Sequence, residues 1–505
     1  MLKKRFNIIY LFVLFCIGIA ALQACSSKES GSSLFSVLDS SKTGIAFANR
    51  LQPTPEFNLF SYMYYYNGAG VGAGDFNQDG LTDLFFAASQ HANALYLNKG
   101  KLQFEDVSLK AGIPQDSSWS TGVSVVDINN DGLLDIYVCK VGRYKVLKGS
   151  NQLLVCDSID QQGIPHYRER AKEFGLDFSG FSTHAAFLDY DGDNDLDMFL
   201  LNHSVNHDGN YAPRDIFINT YDSLAGQRLY RNDQKIVAGS TQPYFTDVTK
   251  VSGINGSKIG YGLGVAVADM NNDGWTDIYI GNDFHENDYL YINQRNGRFQ
   301  EENTKQLNHT SQFSMGVDVA DVNNDAFPEI VSMDMLPDDP YMLRRSLAED
   351  DYTIFQQKIF YGYTYQYARN NLQLNRRNSS FSEVGQFSGI HATDWSWAAL
   401  WMDFNNDGDK DLFVSNGIPK RMNDIDYINF VSGDDIQQKL RTNAIRDQDL
   451  SLTNKFPEIK IPNQFFLNKG NLHFNNLTDS IRQNTPTFSN GAIYADLDND
   501  GDLDI

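Results

Sequence analysis

Side-chain oxygens recur in this chain at a spacing that suits metal chemistry. Seven segments share one nine-residue pattern, with Asp at position 1, Asn or Asp at 3, Asp at 5, usually Gly at 6 and an acid at 9. The first four carry Asp75, Asn77, Asp79 and Asp83; Asp127, Asn129, Asp131 and Asp135; Asp189, Asp191, Asp193 and Asp197; and Asp269, Asn271, Asp273 and Asp277. The last three carry Asp321, Asn323, Asp325 and Glu329; Asp403, Asn405, Asp407 and Asp411; and Asp496, Asp498, Asp500 and Asp504. Alternating positions 1, 3 and 5 aim three oxygens at one centre. Gly at 6 permits a sharp turn, position 7 offers a backbone carbonyl, and the acid at 9 closes the cage. Six to eight oxygens at about 2.3–2.6 Å is the shell that Ca²⁺ takes, whereas Mg²⁺ demands a stricter octahedron. Up to seven Ca²⁺ sites are therefore expected, since so many like charges in one turn repel without a cation. The 321–329 site should be weakest or empty: Ala326 replaces the turn glycine, Pro328 sits inside the loop, and Glu329 moves the closing carboxylate outward.

The flanks say which elements hold these loops. An EF-hand needs Glu at position 12 between two helices. Here GVSVV (122–126), GVAVA (264–268) and GVDVA (316–320) precede the loops, and LFFAA (84–88), IYVCK (136–140) and IYIGN (278–282) follow them. Short runs that are apolar on both faces read as strands buried on both sides, so each loop joins two strands of a hairpin. A third strand recurs as NALYLN (93–98), NDYLYIN (287–293), NNLQLN (370–375) and NQFFLN (463–468). A fourth recurs as FEDVSLKAGI (104–113), FTDVTKVSGI (245–254) and FSEVGQFSGI (381–390). Four-stranded units repeated radially predict an all-β fold, a β-propeller of seven blades over 35–505 with the last blade incomplete. Phe35 to Ile45 has the phase of a fourth strand, so the N-terminal strand is expected to complete the last blade, and the chain to be a piece of a longer protein.

The loops and the LYLN and FxDV markers resemble the FG-GAP/VCBS repeats of integrin-α-type propellers. They are also similar to bacterial secreted lipoproteins of the ASPIC/UnbV type, related to cartilage acidic protein. The resemblance covers residues 35–505 and implies a calcium-binding propeller at a cell surface. No ASPIC/UnbV segment is present in the chain.

Residues 1–24 stand apart. Lys3, Lys4 and Arg5 precede an apolar run from Ile8 to Leu22, too short for a comfortable membrane span, which reads as a secretory signal. Leu22-Gln23-Ala24-Cys25 resembles a bacterial lipobox, which would make Cys25 the lipidated N-terminus, followed by a polar tether over 25–34. Cys139 and Cys156 are flanked by apolar residues and read as buried free thiols, with a disulfide between them as the alternative.

The formal charge of −23, from 41 basic and 64 acidic residues, excludes a basic nucleic-acid footprint. Length variation between the repeats falls after each calcium hairpin, with insertions at 203–227, 334–369 and 416–462. In a propeller blade these connections share one face and the acidic turns share the other. Long loops on a rigid scaffold carry recognition, so the insertion face is expected to bind a protein or a glycan. The leading expectation is a lipid-anchored outer-membrane adhesion module without enzymatic activity and without nucleic-acid partners. The alternatives are a hydrolase or oxidoreductase with a site in the axial channel, or a scaffold subunit of an envelope complex. No catalytic constellation accompanies the former. His203 and His207 read as surface histidines; Trp395, Trp397 and Trp401 as one core-facing row; and Tyr62, Tyr64, Tyr65 and Tyr66 as either core or ligand-facing.

Overall fold

The apolar runs beside each acidic loop become paired strands in a computed structural model of the chain. It describes residues 33–505 apart from 206–210, 238–239, 348–349, 443 and 455–457. Cys25, the leader and His207 thus lie outside the described residues. In the first unit Val71–Gly74 pairs antiparallel with Asp83–Phe86, Val71 opposite Phe86 and Gly74 opposite Asp83. Ala94–Asn98 and Phe104–Asp106 continue the meander. Five further four-stranded antiparallel sheets follow, over 120–169, 182–247, 262–301, 317–383 and 396–476. Together they make an all-β propeller. Six complete four-stranded blades are found among the described residues, against the seven expected.

Second strands are buried on both faces because each faces two blades. Along Asp135–Lys140, Ile136 and Val138 pack with Phe85 and Leu95 of the blade before, while Tyr137 and Cys139 pack with Ala185, Met198 and Leu200 of the blade after. Cys139 and Cys156 are buried and unbridged. The innermost strands approach closely. A Cβ on Gly316 would lie 1.8 Å from the carbonyl oxygen of Trp397, a contact only glycine permits.

The final segment returns to the first blade. Asn499 Nδ2 donates to the carbonyl of Gly80 at 2.9 Å, and Asn98 Nδ2 to that of Leu497 at 2.7 Å. Asn293, Asn375 and Asn468 make the same third-strand contact with Tyr190, Met270 and Val322 of an earlier loop. Residues 491–504 therefore lie between the sixth blade and the first. The N-terminal segment joins them there: Arg482 N–H donates to Phe35 and Val37 N–H to Arg482, both at 3.2 Å.

Helices are confined to connections. Pro340–Arg345 and Tyr352–Phe360 lie in one insertion, and Ile425–Val431, Asp434–Arg441 and Asp447–Thr453 in another. Asp339, Asp351 and Asp424 accept backbone N–H groups as N-caps. Asp424 also pairs with Arg345 at 3.0 Å and so ties the two insertions together. A strap across the centre of this face buries Phe57, Tyr62, Tyr64 and Tyr65 against Trp119, Phe181 and Tyr427. The tyrosines are thus core residues, two of which also line the axial cavity. His203 is buried, hydrogen-bonded to Tyr62 and Thr183, and not a surface histidine. The tryptophans do not form one row. A register shift between Ser396 and Ala399 breaks the alternation, so Trp395 and Trp397 pack beside Met315 while Trp401 enters a different cluster with Leu412 and Phe466.

Candidate metal centres

Each acidic loop is built by the same hydrogen bonds, repeated seven times. The position-1 carboxylate spans the turn: Asp75 accepts from Asp79 N–H at 3.0 Å and from Gly80 N–H at 2.9 Å. Asp127, Asp269, Asp403 and Asp496 do the same in their loops. So do Asp189 and Asp321, although Asn194 and Ala326 replace the glycine. The position-5 carboxylate then accepts from position 7, as Asp131 does from Leu133 at 2.8 Å. These bonds hold the carboxylates at positions 1 and 5 in place without using all their lone pairs.

Position 3 supplies the sharpest sign of a cation. Asp191 Oδ1, Asn271 Oδ1 and Asn323 Oδ1 are buried oxygens with no hydrogen-bond partner among the described residues. Buried oxygens without partners are costly, and a hard cation inside the loop would satisfy them. In the third loop Asp189, Asp191 and Asp197 offer oxygens within 4.8 Å of one another, and in the seventh Asp496, Asp498 and Asp500 do so. The donor set is all oxygen and heavily anionic, which fits Ca²⁺.

Position 9 is deeper than its role as a ligand requires. Asp83, Asp135, Asp197, Asp277, Glu329 and Asp411 are fully buried. One oxygen of each accepts the N–H of position 2 in its own loop, as Asp83 does from Phe76 at 2.9 Å. The other oxygen reaches the third strand: Asp83 accepts from Asn98 at 2.7 Å, Asp277 from Asn293 at 2.8 Å and Asp411 from Asn468 at 2.7 Å. This carboxylate is a staple between loop and sheet as well as a candidate ligand. Burial pushes Asp83, Asp135 and Asp277 up to about 7 and Asp197 to about 8, with the other loop carboxylates adding repulsion. A bound cation would act in the opposite direction.

The loops are linked to one another. Position 4 lies in the left-handed region throughout, from Gln78 at φ 58° to Asn499 at φ 60°. From there Gln78 donates to Gly132 O, Asn272 to Ala326 O and Asn406 to Gly501 O, each in the following loop. The recurring Asn at position 4 was visible in the sequence as a signal, but its partner lies one blade away. Also missed were Arg295 and Arg377, which pair with Asp273 at 2.9 Å and Asp325 at 2.5 Å. A guanidinium there competes with a cation for the position-5 carboxylate.

A family model described as FG-GAP-like repeat matches residues 75–138, 269–332 and 359–414, spanning five of the seven loops. The chain carries FG-GAP-like repeats. Among curated relatives of this FG-GAP propeller, cartilage acidic protein 1 of Xenopus tropicalis is 24% identical over 217 residues, covering 43% of this chain and 29% of that protein. Integrin alpha-6 of Gallus gallus is 40% identical over 81 residues, covering 14% of this chain and 8% of that one. The match therefore spans under a third of either relative. Among solved structures, an Agrocybe aegerita lectin aligns at 14% identity and a TM-score of 0.41, covering 82% of this chain and 81% of that one.

The fifth loop gives a prediction. Ala326 sits at φ 69°, where a Cβ costs on the order of 1 kcal/mol. Ala326→Gly should stabilise the protein by about that amount and raise calcium occupancy at a site that Arg377 also weakens. Calcium titration followed by crystallography would check the ranking; a fifth site filled as readily as the first in the parent protein would refute it.

Proposed function

We propose that this FG-GAP propeller is a calcium-stabilised adhesion module of the bacterial cell envelope, held at the outer membrane by lipid on Cys25. It would recognise a protein or glycan through its insertion-rich face. The observation carrying this reading is the exposure of large aromatics on the 334–369 insertion. Tyr352 and Phe360 are 79% and 85% exposed, and Tyr341 and Tyr365 are largely exposed too. Aromatics left in water on a rigid scaffold mark contact surfaces. The kinship of the repeats with those of integrin alpha chains is consistent with adhesion. In the same reading the ring has seven blades, residues 35–47 supplying the outer strand of the blade that owns the 496–504 loop. Two contacts support this. Phe35 is bonded to Arg482. A Cβ on Gly44 would lie 2.6 Å from the carbonyl oxygen of Phe104, as one on Gly253 would lie 2.5 Å from that of Phe299.

Screening the protein against glycan and envelope-protein panels tests recognition. Tyr352→Ala with Phe360→Ala should weaken any ligand found at least tenfold while leaving the melting temperature unchanged. Undiminished binding would move the site off this face, and turnover of a panel member would favour the enzyme reading.

Anchoring has its own test. No helix among the described residues is long and apolar enough to cross a membrane. Membrane attachment in this reading rests on the lipid, so Cys25→Ser should shift the protein to the soluble fraction. Retention in membranes at the parental level would refute the lipid anchor.

A further inference from the structure

Five residues before the first Asp of each loop, the inner strands carry Gly70, Gly122, His184, Gly264, Gly316, Ala398 and Gly491. All seven positions line one axial cavity of about 420 Å³. That volume lies within the ~300–1,000 Å³ range of small-molecule sites. Six of the seven carry a glycine or an alanine, so His184 is the single large side chain at this level.

The cavity differs from the rest of the molecule in its charge. The chain carries −23 overall, yet among the described residues no Asp, Glu, Lys or Arg lines this space. Aliphatic side chains and glycine backbone form most of the wall, and Tyr62, Tyr64, Trp119 and Trp397 add aromatic surface. Most polar groups here are already engaged. Tyr62 Oη is bonded to His203 Nε2 at 2.9 Å, Tyr64 Oη to Asp283 at 3.3 Å, and Asn490 Nδ2 to the carbonyl of Tyr66 at 3.3 Å.

His184 is different. Its Nδ1 is buried with no hydrogen-bond partner among the described residues, wedged against Gly122, where a Cβ would lie 2.5 Å away. Burial keeps the imidazole neutral, lowering its pKa to about 4. The other ring nitrogen, Nε2, can act as donor or acceptor, according to tautomer. A charged ligand would find no counter-charge in this wall and would lose its hydration on entry.

We propose that the axial cavity binds an uncharged small molecule with an aromatic or alicyclic body and one hydroxyl or carbonyl group, anchored on Nε2 of His184. The site is separate from the calcium loops and from the insertion-face aromatics, so it stands or falls independently of the adhesion reading.

The test uses 2-naphthol at pH 7 as an uncharged probe and 2-naphthalenesulfonate as its charged counterpart, titrated calorimetrically in calcium. Saturable one-to-one binding of the naphthol and none of the sulfonate are expected. His184→Gly restores the residue that five equivalent positions carry and should weaken naphthol at least tenfold without lowering the melting temperature. Added imidazole should restore part of the loss. No saturable naphthol binding, equal binding of the sulfonate, or an unchanged His184→Gly isotherm would each overturn the proposal. Should that variant fail to fold, the ring-nitrogen NMR signals of His184 in the parent protein decide: they should shift along the naphthol isotherm, and signals that stay still would overturn it.

Discussion

Chelation of calcium with EGTA should lower the melting temperature of the protein by roughly 10 °C. At about 1 mM calcium and a Kd near 10⁻⁴ M, a value typical of extracellular sites, each occupied loop contributes roughly 1.4 kcal/mol. Six such sites approach 8 kcal/mol, comparable with the whole stability of an ordinary domain. An unfolding entropy of about 2.1 cal/mol/K per residue, over a chain of this size, converts that sum into a shift of the stated order. The effect should depend on pH with a definite sign. Asp83, Asp135, Asp277 and Glu329 are raised to about 7, and Asp197 to about 8, chiefly by burial. A carboxylate whose folded pKa exceeds its unfolded one holds an extra proton in the folded state. The metal-free protein therefore loses stability as pH rises from about 4 to 8. A cation needs the ionised form, so calcium must displace those protons, and its contribution grows over the same window. Melting curves with and without calcium should diverge from pH 5.5 to pH 8. Curves that coincide at pH 8 would sink the claim that the metal stabilises the fold.

Much of this architecture was legible because it repeats. A single DxNxDG turn says little, but the same turn set between runs such as GVSVV and IYVCK announces a hairpin, and its recurrence announces a propeller. Left-handed geometry at position 6 was also readable: Gly80, Gly132, Gly274, Gly408 and Gly501 take it easily, and Asn194 and Ala326 are forced into it. What the sequence hid is long-range. The Asn that ends LYLN could be seen but not explained until Asn98 was found holding Leu497, almost the whole chain away. Arg377 carries no local signal, since nothing near it in the sequence says that it reaches Asp325. Period-2 reasoning placed Trp401 with Trp395 and Trp397, and one bulge undid it. Six four-stranded blades are counted among the described residues, against the seven that the repeats lead one to expect. The lining of the axial cavity was likewise invisible until the inner strands could be aligned on their loops, which exposed His184 among the small residues.

The same logic separates two carboxylates that the motif treats alike. Asp79→Ala removes an exposed position-5 candidate ligand together with two turn bonds, from Leu81 N–H and from Asn77 Nδ2. It should cost about one site, roughly 1.4 kcal/mol, in calcium, and only about 1 kcal/mol in EGTA, where two turn hydrogen bonds near the surface are lost. Asp83→Ala removes a fully buried staple, leaving the N–H groups of Phe76 and Asn98 without their acceptor. Unpaired buried donors cost about 1–3 kcal/mol each, so a loss of roughly 2–5 kcal/mol should persist after chelation. Asp83→Asn keeps an acceptor for one of the two donors and should fall between. Urea unfolding of the three variants, with calcium and with EGTA, reads both contributions at once. If the Asp83→Ala cost vanished in EGTA, position 9 would be a ligand and nothing more. If the cost survives, the acid that ends each motif is what fastens the loop to the third strand, and the cation is then held by a loop whose shape exists before it arrives.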